Sequence, residues 1–285
     1  MATHMITKGL DLPLSGRPIQ VIRERVRSTR VAVMADDFPG MKPRMRVEEG
    51  EVVKRGQILF EDRKNPGVVH TAPGAGRVIG IHRGARRVLQ SVVIDLSDGE
   101  RSGQPPDAEF QPFASFSPRS ESSLGREEIR DLLVESGQWT ALRTRPDSKG
   151  PQVDSVPAAI FVTAIDSSPL APLPEVVLAD QREDFARGLR IVARLTEGNT
   201  YLCLREHSDL ADGLDADVRV EYFAGPHPSG NVGLHIHLLD PVHRNKTVWH
   251  VGYADVVSIG RLFATGRLDV DRVIGVAGPP VEDPR

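Results

Sequence analysis

Two stretches, MRVEEGEVVKRGQILFED at residues 45–62 and VVHTAPGAGRVIGIHRG at residues 68–84, decide the fold of the first third of the chain. Both alternate apolar with polar residues, and both are broken at short intervals by glycines. Short alternating strands between glycine turns are typical of a small β-sandwich or barrel. The run RVLQSVVIDL at residues 87–96 reads as the closing strand.

The flanks of these stretches have a different character. Residues 6–30 predict an extended lead-in, and residues 31–34 form a short apolar run before the turn-rich ADDFPGMKP. Residues 97–120 are rich in Ser, Pro and Gly, which indicates a connection. We therefore predict an N-terminal segment with a β domain over residues 1–100 and a linker over residues 101–125.

Beyond the linker the pattern changes to helices and buried strands. Helical spacing of apolar residues predicts helices over Arg126–Glu135, with Ser122 and Ser123 as candidate caps, over Gln181–Leu195, and over Tyr253–Thr265. Predicted strands lie between them, at residues 157–165, 201–204, 218–223 and 272–277. Strands that alternate with helices imply an α/β domain with a mostly parallel sheet, over residues 126–285.

Composition excludes several classes of protein. The 285 residues include one cysteine, Cys203, so neither an internal disulfide nor an iron–sulfur centre, which needs about four thiolates, can form within the chain. Cys203 lies in an apolar run and is interpreted as a buried small residue. No window approaches the roughly 18 apolar residues of a membrane helix, and no signal layout is seen, so we expect a cytoplasmic protein.

Charge is unevenly distributed along the chain. Residues 1–90 carry a net charge of +8, whereas the whole chain carries −3. A basic first third suits an acidic partner or membrane headgroups, although a solvated surface explains it equally well. No aromatic interleaving or nucleic-acid motif accompanies the charge, so we predict no nucleic-acid partner.

Eight phrases, spread in order over most of the chain, resemble the NqrA family, whose members are peripheral components of the bacterial sodium-translocating NADH:quinone reductase. They are GLDLP at 9–13, FEDRKNPGVVHTAPGAGRV at 60–78, RGARRVLQSVVI at 83–94, SGQWTALRTRP at 136–146, IFVTAIDSSPLA at 160–171, EYFAGPHPSGNVGLHIH at 221–237, TVWHVGYADVVSIGRLFATGRL at 247–268 and VAGP at 276–279. One such phrase is weakly specific, but eight in the family's order are highly specific.

This resemblance implies a fold, a complex and a role. The fold is a biotinyl- or lipoyl-like β-barrel domain followed by a Rossmann-like α/β domain. The role is that of a peripheral subunit on the cytoplasmic face of the bacterial inner membrane, which docks to the membrane subunits of a sodium-pumping NADH:ubiquinone oxidoreductase. Such a subunit has neither flavin nor iron–sulfur centre and is associated with ubiquinone binding. Family members continue with a β-grasp domain and a helical tail, so we interpret this sequence as the N-terminal two-thirds.

Ubiquinone is therefore the candidate non-covalent ligand. A quinone needs a flat apolar slot and one or two donors to its carbonyl oxygens. Two stretches, residues 33–38 and 139–145, offer apolar or aromatic side chains, and the second adds arginines. The candidate quinone-binding residues are Met34, Phe38, Trp139, Leu142, Arg143 and Arg145. Two alternatives stay open, that Trp139 is plain core and that Arg143 pairs with a carboxylate. We predict no catalytic residue in this chain.

Three other chemistries compete with quinone binding. Lys64, on a turn before Asn-Pro-Gly, stands near the position of a carrier lysine but lacks the flanking residues that biotin and lipoyl carriers have. The glycine-rich GPHPSGNVG at residues 225–233 is the candidate for flavin or NADH, as in a dehydrogenase subunit related to the flavoprotein of complex I. Its two prolines remove backbone donors that phosphate capture needs.

The histidines form the third alternative. Five of them fall within 24 positions near the C-terminal end, namely His227, His235, His237, His243 and His250. Taken as strand residues, His235 and His237 share one face and suit a zinc ion. No thiolate and no H-E-x-x-H pattern joins them, so we predict packing histidines and no metal. No G-x-S-x-G elbow supports a hydrolase.

Overall fold

A computed structural model describes residues 3–284; residues 1, 2 and 285, which end the predicted domains, lie outside the described residues. The strands of the described part are, in chain order, β1 (Thr3–Met5), β2 (Arg30–Met34), β3 (Pro43–Met45), β4 (Val52–Val53), β5 (Ile58–Asp62), β6 (Val69–Thr71), β7 (Gly76–Arg83), β8 (Leu89–Leu96), β9 (Arg143–Arg145), β10 (Ala159–Ala164), β11 (Asn199–Arg205), β12 (Arg219–Ala224) and β13 (Val248–Gly252).

The α-helices of the same residues are α1 (Asp98–Ser102), α2 (Arg126–Glu135), α3 (Pro174–Val177), α4 (Arg182–Ala193), α5 (Val232–Leu239) and α6 (Tyr253–Thr265). Short 3₁₀ turns lie at Ala35–Asp37, Ala85–Arg87, Asp107–Glu109, Glu121–Ser123 and Gln138–Ala141. The predicted helix over residues 126–135 and the predicted helix over residues 253–265 are confirmed with the predicted bounds.

The chain divides into two compact units, and neither is continuous in sequence. The barrel unit consists of residues 25–155 and 261–270, and the α/β unit consists of the residues through Glu24, residues 156–260 and the residues from Asp271. This division differs from the predicted boundaries of 1–100, 101–125 and 126–285. The reason is that the prediction gave each domain one uninterrupted segment, whereas terminal segments here pack against distant parts of the chain.

The barrel unit is built from two antiparallel sheets. One has the strand order β2-β8-β7-β4 and the other β3-β5-β6. Inward-facing residues of both sheets form one aliphatic and aromatic core, in which Leu59, Phe60, Val78 and Ile94 are fully buried. Gly56 adopts a φ of +90° shortly before β5, a backbone conformation that an L side chain adopts only with strain. The alternating pattern around glycines thus predicted a β-barrel domain, and this is confirmed.

The predicted linker is part of the barrel unit. Glu100 of α1 accepts hydrogen bonds from the Ala75 backbone N–H, at 2.9 Å, and from the Arg55 guanidinium, whose Nε lies at 2.9 Å. Phe113 and Leu124 are buried, at 7% and 4% exposure. Residues 101–125 therefore belong to the barrel unit: Phe113 and Leu124 are buried within the stretch, and the Glu100–Arg55 ion pair fixes the residue directly before it.

The α/β unit has a parallel sheet, as predicted. Its strands lie in the order β1-β12-β11-β10-β13, and every one of these pairings is parallel. Strand β10 is central and nearly fully buried, as its continuous apolar sequence predicted. Strand β1 forms the edge, where Thr3–Met5 pair with Tyr222–Ala224, more than 200 residues away in the chain.

Two local predictions are wrong. Residues 272–277 form no strand; this stretch has no regular structure, and beyond it the Gly278 N–H donates to the Gly16 carbonyl at 3.1 Å. Helix α2 is not capped by Ser122 or Ser123. Its N-cap is Gly125, whose backbone N–H is bound by the Glu128 carboxylate at 2.8 Å.

None of the helices within residues 3–284 combines the length and apolar character that a membrane crossing requires.

Candidate functional site

The first predicted quinone segment forms the end of strand β2 and the turn after it. Met34 is the last residue of β2 and is 45% exposed. The 3₁₀ turn Ala35–Asp37 follows, closed by the Phe38 N–H donating to the Ala35 carbonyl at 3.1 Å. This turn carries the half-buried Phe38 ring over the surface of the barrel unit.

His70 of strand β6 lies beneath Phe38. The edge of one ring meets the face of the other, with centroids 4.3 Å apart at 74°. His70 also stacks on the buried Phe60, with centroids 4.6 Å apart at 20°. His70 is 4% exposed, and its Nδ1 has no hydrogen-bond partner. The rings of Phe38, His70 and Phe60 thus contact one another in series, one pair edge to face and one pair stacked, and are called here the aromatic stack.

Burial controls the charge of His70. Its pKa is lowered to about 4 by burial; the Asp62 carboxylate opposes this effect and the Arg143 guanidinium adds to it. At neutral pH the imidazole is therefore uncharged and carries a single N–H. A neutral imidazole with an unused nitrogen atom can donate or accept one hydrogen bond, according to its tautomer.

The second predicted segment divides into core and edge residues. Trp139 and Leu142 are fully buried, at 1% and 0% exposure, and the Trp139 Nε1–H donates to the Pro151 carbonyl at 2.9 Å. Arg143 and Arg145 are half-buried in strand β9, and the Arg145 Nε is buried without a partner. The interpretation of Trp139 as core thus agrees with its position.

Arg143 joins the two predicted segments. Its guanidinium donates to the Asp37 carbonyl at 2.7 Å and lies 5.5 Å from the centroid of the Phe38 ring. A guanidinium over an aromatic face is attracted by the ring quadrupole. The structure therefore brings Phe38 and Arg143 together, whereas it places Trp139 and Leu142 below the surface. The proposed set of six quinone-binding residues stays a prediction.

Sequence reasoning missed His70. The residue lies within one of the family phrases, but a lone histidine in a strand gives no signal by itself. One signal was available in the sequence: His70 precedes the apolar Ala72 by two positions, so a strand here places both side chains on the same face. Its position under Phe38 could not be read from the sequence.

The glycine-rich loop after strand β12 offers few free donors to a phosphate. Its backbone N–H groups are occupied: residue 227 donates to the Asp11 carboxylate, residue 229 to the Pro226 carbonyl, residue 230 to the Ser167 hydroxyl and residue 231 to the Pro228 carbonyl. Pro226 and Pro228 have no N–H to give. The N–H groups of residues 226–231 are thus engaged within the chain, whereas a pyrophosphate needs several such donors.

The carboxyl ends of strands β10 and β13 carry acidic groups. Asp166 follows β10, and Tyr253 follows β13 at the start of α6. Burial, then the charges of Asp166 and Glu175, raise the pKa of the Tyr253 hydroxyl. The Asp166 carboxylate in this position repels a phosphate anion, which in other open α/β sheets binds at this edge. Glu175 is paired with the Arg205 guanidinium at 3.0 Å.

His235 and His237 lie in helix α5, so the strand interpretation of these two residues is wrong. His235 is fully buried, stacks near Phe223 with centroids 4.1 Å apart, and donates from Nε2 to the Ser229 carbonyl at 2.7 Å. His237 is exposed on another face of the helix. Among residues 3–284, no three His, Cys, Asp or Glu side chains are grouped so that they could hold a metal ion.

Two further predictions concern single residues. Lys64 lies on the exposed turn between β5 and β6, as predicted, and its backbone N–H donates to the Asp62 carboxylate at 2.9 Å. Cys203 is fully buried in strand β11, and burial, together with the Glu221 charge, raises the pKa of its thiol. The interpretation of Cys203 as a buried small residue is confirmed.

Comparison with known protein families covers both units. Residues 4–97 match the NqrA N-terminal barrel-sandwich hybrid domain, and residues 124–268 match the NqrA second alpha/beta domain. The second match alone spans half of the chain. The chain belongs to the NqrA family.

Whole relatives agree with this assignment to NqrA. Three proteins named as the NqrA component of a Na(+)-translocating NADH-quinone reductase, from Marinomonas sp. (strain MWYL1), Neisseria meningitidis serogroup A and Serratia proteamaculans (strain 568), are 54%, 50% and 50% identical to this chain. The matches cover 99%, 98% and 98% of this chain and 61% of each relative. The chain thus spans about three-fifths of the length of these NqrA proteins.

Proposed function

We propose that this chain acts as a peripheral subunit of a sodium-pumping NADH:ubiquinone oxidoreductase. It binds ubiquinone at the aromatic stack and docks to membrane subunits at the cytoplasmic face of the bacterial inner membrane. It holds no flavin and no iron–sulfur centre, so hydride transfer and sodium passage take place in other subunits. The names of the relatives support the complex, because each is named as one component of a Na(+)-translocating NADH-quinone reductase.

The observation that carries quinone binding is the contact between Phe38 and Arg143. These residues come from two segments more than 100 positions apart, both selected as quinone-binding from the sequence, and they meet at one surface. Phe38 offers a flat apolar face and Arg143 a cationic donor beside it. A quinone ring is flat and apolar and has two carbonyl acceptors, so the chemistry of ring and surface is complementary.

The residues around Phe38 also suit a quinone carbonyl group. A quinone carbonyl accepts hydrogen bonds and is repelled by a neighbouring anion. His70, directly under Phe38, has a buried nitrogen without a partner, and the neighbouring arginine is positive. Met34, exposed at the end of the same segment, adds a soft apolar side chain for the isoprenoid tail.

The α/β unit supports the absence of bound flavin or NADH. Its strands β12-β11-β10-β13 follow the order 3-2-1-4 of a Rossmann-like half, which is the fold we propose for it. In such folds a dinucleotide places its phosphates at the carboxyl ends of the strands. Here the donors of residues 227–231 are bound within the chain and Asp166 is negative, which supports a fold retained without the phosphate site.

A photoreactive ubiquinone tests the binding site. We expect light-induced labelling of residues 33–38 and 139–145, with loss of labelling in the presence of excess short-chain ubiquinone. Phe38→Ala should reduce labelling several-fold. Phe110→Ala is the matched control, since it removes another half-buried phenylalanine of the barrel unit that lies under the guanidinium groups of Arg55 and Arg267. Labelling spread over other segments, or equal loss in both variants, contradicts the proposed site.

Absorbance of the purified chain tests the flavin assignment. We expect no flavin band after gel filtration and none after addition of FMN and renewed filtration. A flavin bound at one mole per mole of chain would instead support the rival function, an NADH-oxidising flavoprotein. This absorbance measurement needs only the purified chain, so its result does not depend on the membrane subunits.

Docking and turnover are tested in the complex. We expect the chain to co-purify with the membrane subunits and quinone-dependent turnover to fall when the chain is absent. Turnover that survives its removal would limit the role to assembly.

The basic residues 1–90, with a net charge of +8, should make docking sensitive to salt. Binding should weaken between about 50 and about 300 mM salt, because the Debye length shortens from roughly 14 Å to roughly 6 Å over that range.

A further inference from the structure

His70 is the least explained polar residue of the barrel unit. Only 4% of the residue is exposed, and its Nδ1 atom is buried without a hydrogen-bond partner. Leaving a buried polar atom unpaired is destabilising. An aliphatic residue would fill the same space without that cost, since two of its neighbours are the aromatic rings of Phe38 and Phe60. The unpaired nitrogen is therefore an unused hydrogen-bonding position within the aromatic stack.

The two rings that enclose His70 are held differently. Phe60 is fully buried in strand β5, a member of the barrel core, so it forms a fixed floor. Phe38 is half-buried and stands between a single 3₁₀ turn and the Pro39-Gly40 pair, where Gly40 has a φ of +83°. A ring on a short turn can move with few lost contacts, whereas a core ring cannot. Phe38 is thus the side from which a ligand reaches His70.

The charges around His70 favour a neutral acceptor ligand. Arg143 lies beside the outer ring and Asp62 lies on the neighbouring strand β5. With one positive and one negative group nearby, the pocket carries no strong excess of either sign. Burial keeps the imidazole uncharged at neutral pH. A flat, uncharged ring with a carbonyl oxygen matches these conditions, and an anion does not.

We propose that His70 is the hydrogen-bond partner of a quinone carbonyl oxygen and that Phe38 covers it until the quinone enters. The proposal rests on the quinone-binding function above and adds a residue that the two predicted segments do not contain. The imidazole N–H donates to the carbonyl, Phe60 supports the imidazole from below, and the displaced Phe38 ring lies against the quinone. No proton is transferred, so His70 is a binding residue.

Binding measurements on the purified chain test the hydrogen bond. Short-chain ubiquinone is titrated by calorimetry into the wild type, His70→Phe and His70→Gln. We expect His70→Phe, which keeps a flat ring without a donor, to bind about tenfold more weakly, as the loss of one hydrogen bond to a neutral group implies. His70→Gln keeps an N–H donor and should recover most of the affinity. Equal affinity of the wild type and His70→Phe overturns the proposal.

A ligand analogue separates this proposal from the quinone-binding function itself. In the analogue both carbonyl groups are replaced by methyl-bearing ring carbons. We expect the analogue to bind more weakly than ubiquinone, and to bind the wild type and His70→Phe with equal affinity, since no acceptor remains. If the wild type fails to bind ubiquinone at all, the quinone function fails. If it binds ubiquinone but discrimination against the analogue is unchanged by His70→Phe, only the role of His70 fails.

The cover is tested by chemical modification. Diethylpyrocarbonate acylates accessible neutral imidazoles, and peptide mapping locates the product. We expect His70 to react slowly in the wild type, several-fold faster in Phe38→Ala, and slowly again in Phe38→Ala with ubiquinone bound. Phe110→Ala should leave the rate unchanged. A fast wild-type reaction, or no protection by ubiquinone, contradicts the proposal that Phe38 covers His70.

The ring-nitrogen resonances of His70 give a second measurement that needs no variant. If they do not shift on addition of quinone, the proposed hydrogen bond is overturned.

Discussion

Two buried histidines, His70 in the barrel unit and His235 in the α/β unit, show how the role of an imidazole depends on the groups around it. Both have a pKa lowered to about 4, chiefly by burial. Both stack on a phenylalanine, at Phe60 and Phe223, and both have an unpaired Nδ1. The difference is that His235 donates from its other nitrogen to the Ser229 carbonyl, whereas His70 contacts the half-buried Phe38 ring. That difference makes His235 a packing residue and His70 a candidate ligand-binding residue.

The lowered pKa values predict acid sensitivity of the fold. Between about pH 6.5 and pH 4 the unfolded chain binds a proton at each histidine and the folded chain does not, so stability falls as pH falls through this window. Each histidine should cost about 2 kcal/mol of unfolding free energy between about pH 7 and pH 5. Urea unfolding at the two pH values measures the loss. His70→Gln and His235→Gln should each remove the contribution of that histidine to the pH dependence of the unfolding free energy. An unchanged pH dependence in both variants contradicts the assigned pKa shifts.

At the scale of elements, residues 97–125 are held to the barrel unit by a buried ion pair. The side chains of Arg55 and Glu100 are 16% and 5% exposed, and Arg55 also lies 5.1 Å from the centroid of Phe110. An isolated β bridge pairs residues 55 and 110. Composition indicated a free linker because Ser, Pro and Gly dominate it. The pairing of one glutamate with an arginine 45 positions earlier overrides that indication.

Removal of Glu100 should therefore be costly. We expect Glu100→Ala to lower the unfolding free energy by about 3–5 kcal/mol, because it leaves the Arg55 charge buried without its partner. Asp209→Ala is the matched control: it breaks the ion pair with Arg182, in which both side chains are about half exposed, and should cost at most about 1 kcal/mol. Equal losses in the two variants, measured by urea unfolding, contradict a special role for the buried pair.

Helices α4 and α6 pack through glycines at their contact. A Cβ atom added at Gly260 would lie 1.9 Å from the Asp184 carbonyl oxygen, and one added at Gly188 would lie 2.0 Å from the Val256 carbonyl oxygen. The obstacles are backbone atoms, which cannot rotate away. The sequence predicted both helices from their apolar spacing, but nothing in that spacing indicates which faces touch or how closely.

Gly260→Ala should separate these helices. We expect a loss of about 1–3 kcal/mol in unfolding free energy, the usual cost of overpacking, although alanine is the better helix former. Gly233→Ala in helix α5 serves as the control, because its added methyl would approach a side-chain atom, Asn231 Oδ1 at 3.1 Å, and not the backbone of another helix. Thermal unfolding monitored by circular dichroism distinguishes the two. A stabilised Gly260→Ala variant contradicts the close packing.

At the scale of the whole molecule, each compact unit is completed by a segment from a distant part of the chain. The residues through Glu24 belong to the α/β unit, and residues 261–270 belong to the barrel unit. In the first case, β1 adds an edge strand to β12, His4 pairs with Glu221 at 2.8 Å, and the N–H of Leu10 donates to the His227 carbonyl at 2.9 Å. Gly9 permits this approach, since a Cβ there would lie 2.0 Å from the same carbonyl oxygen.

Deletion of residues 1–12 should weaken the α/β unit selectively. Without β1 the edge of β12 is unpaired and the loop after it loses the Asp11 carboxylate. We expect faster hydrogen exchange of backbone amides in residues 219–231 and no change in strands β7 and β8 of the barrel unit, measured by mass spectrometry after proteolysis. Faster exchange throughout the chain, or no change at residues 219–231, contradicts the assignment of the N-terminal segment to the α/β unit.

The sequence by itself determined the class of each unit. Alternation around glycines predicted the barrel, a continuous apolar run predicted the buried parallel strand β10, and helical spacing predicted α2, α4 and α6, because these patterns depend on the period of the local backbone alone. The requirement of a quinone for apolar or aromatic side chains and hydrogen-bond donors selected the segments that contain Phe38 and Arg143. Tertiary structure alone decided that residues 3–24 complete the α/β unit, that residues 272–277 form no strand, and that His70 lies under Phe38. These features depend on contacts between residues tens to hundreds of positions apart, and no local pattern encodes which partner a buried group will meet.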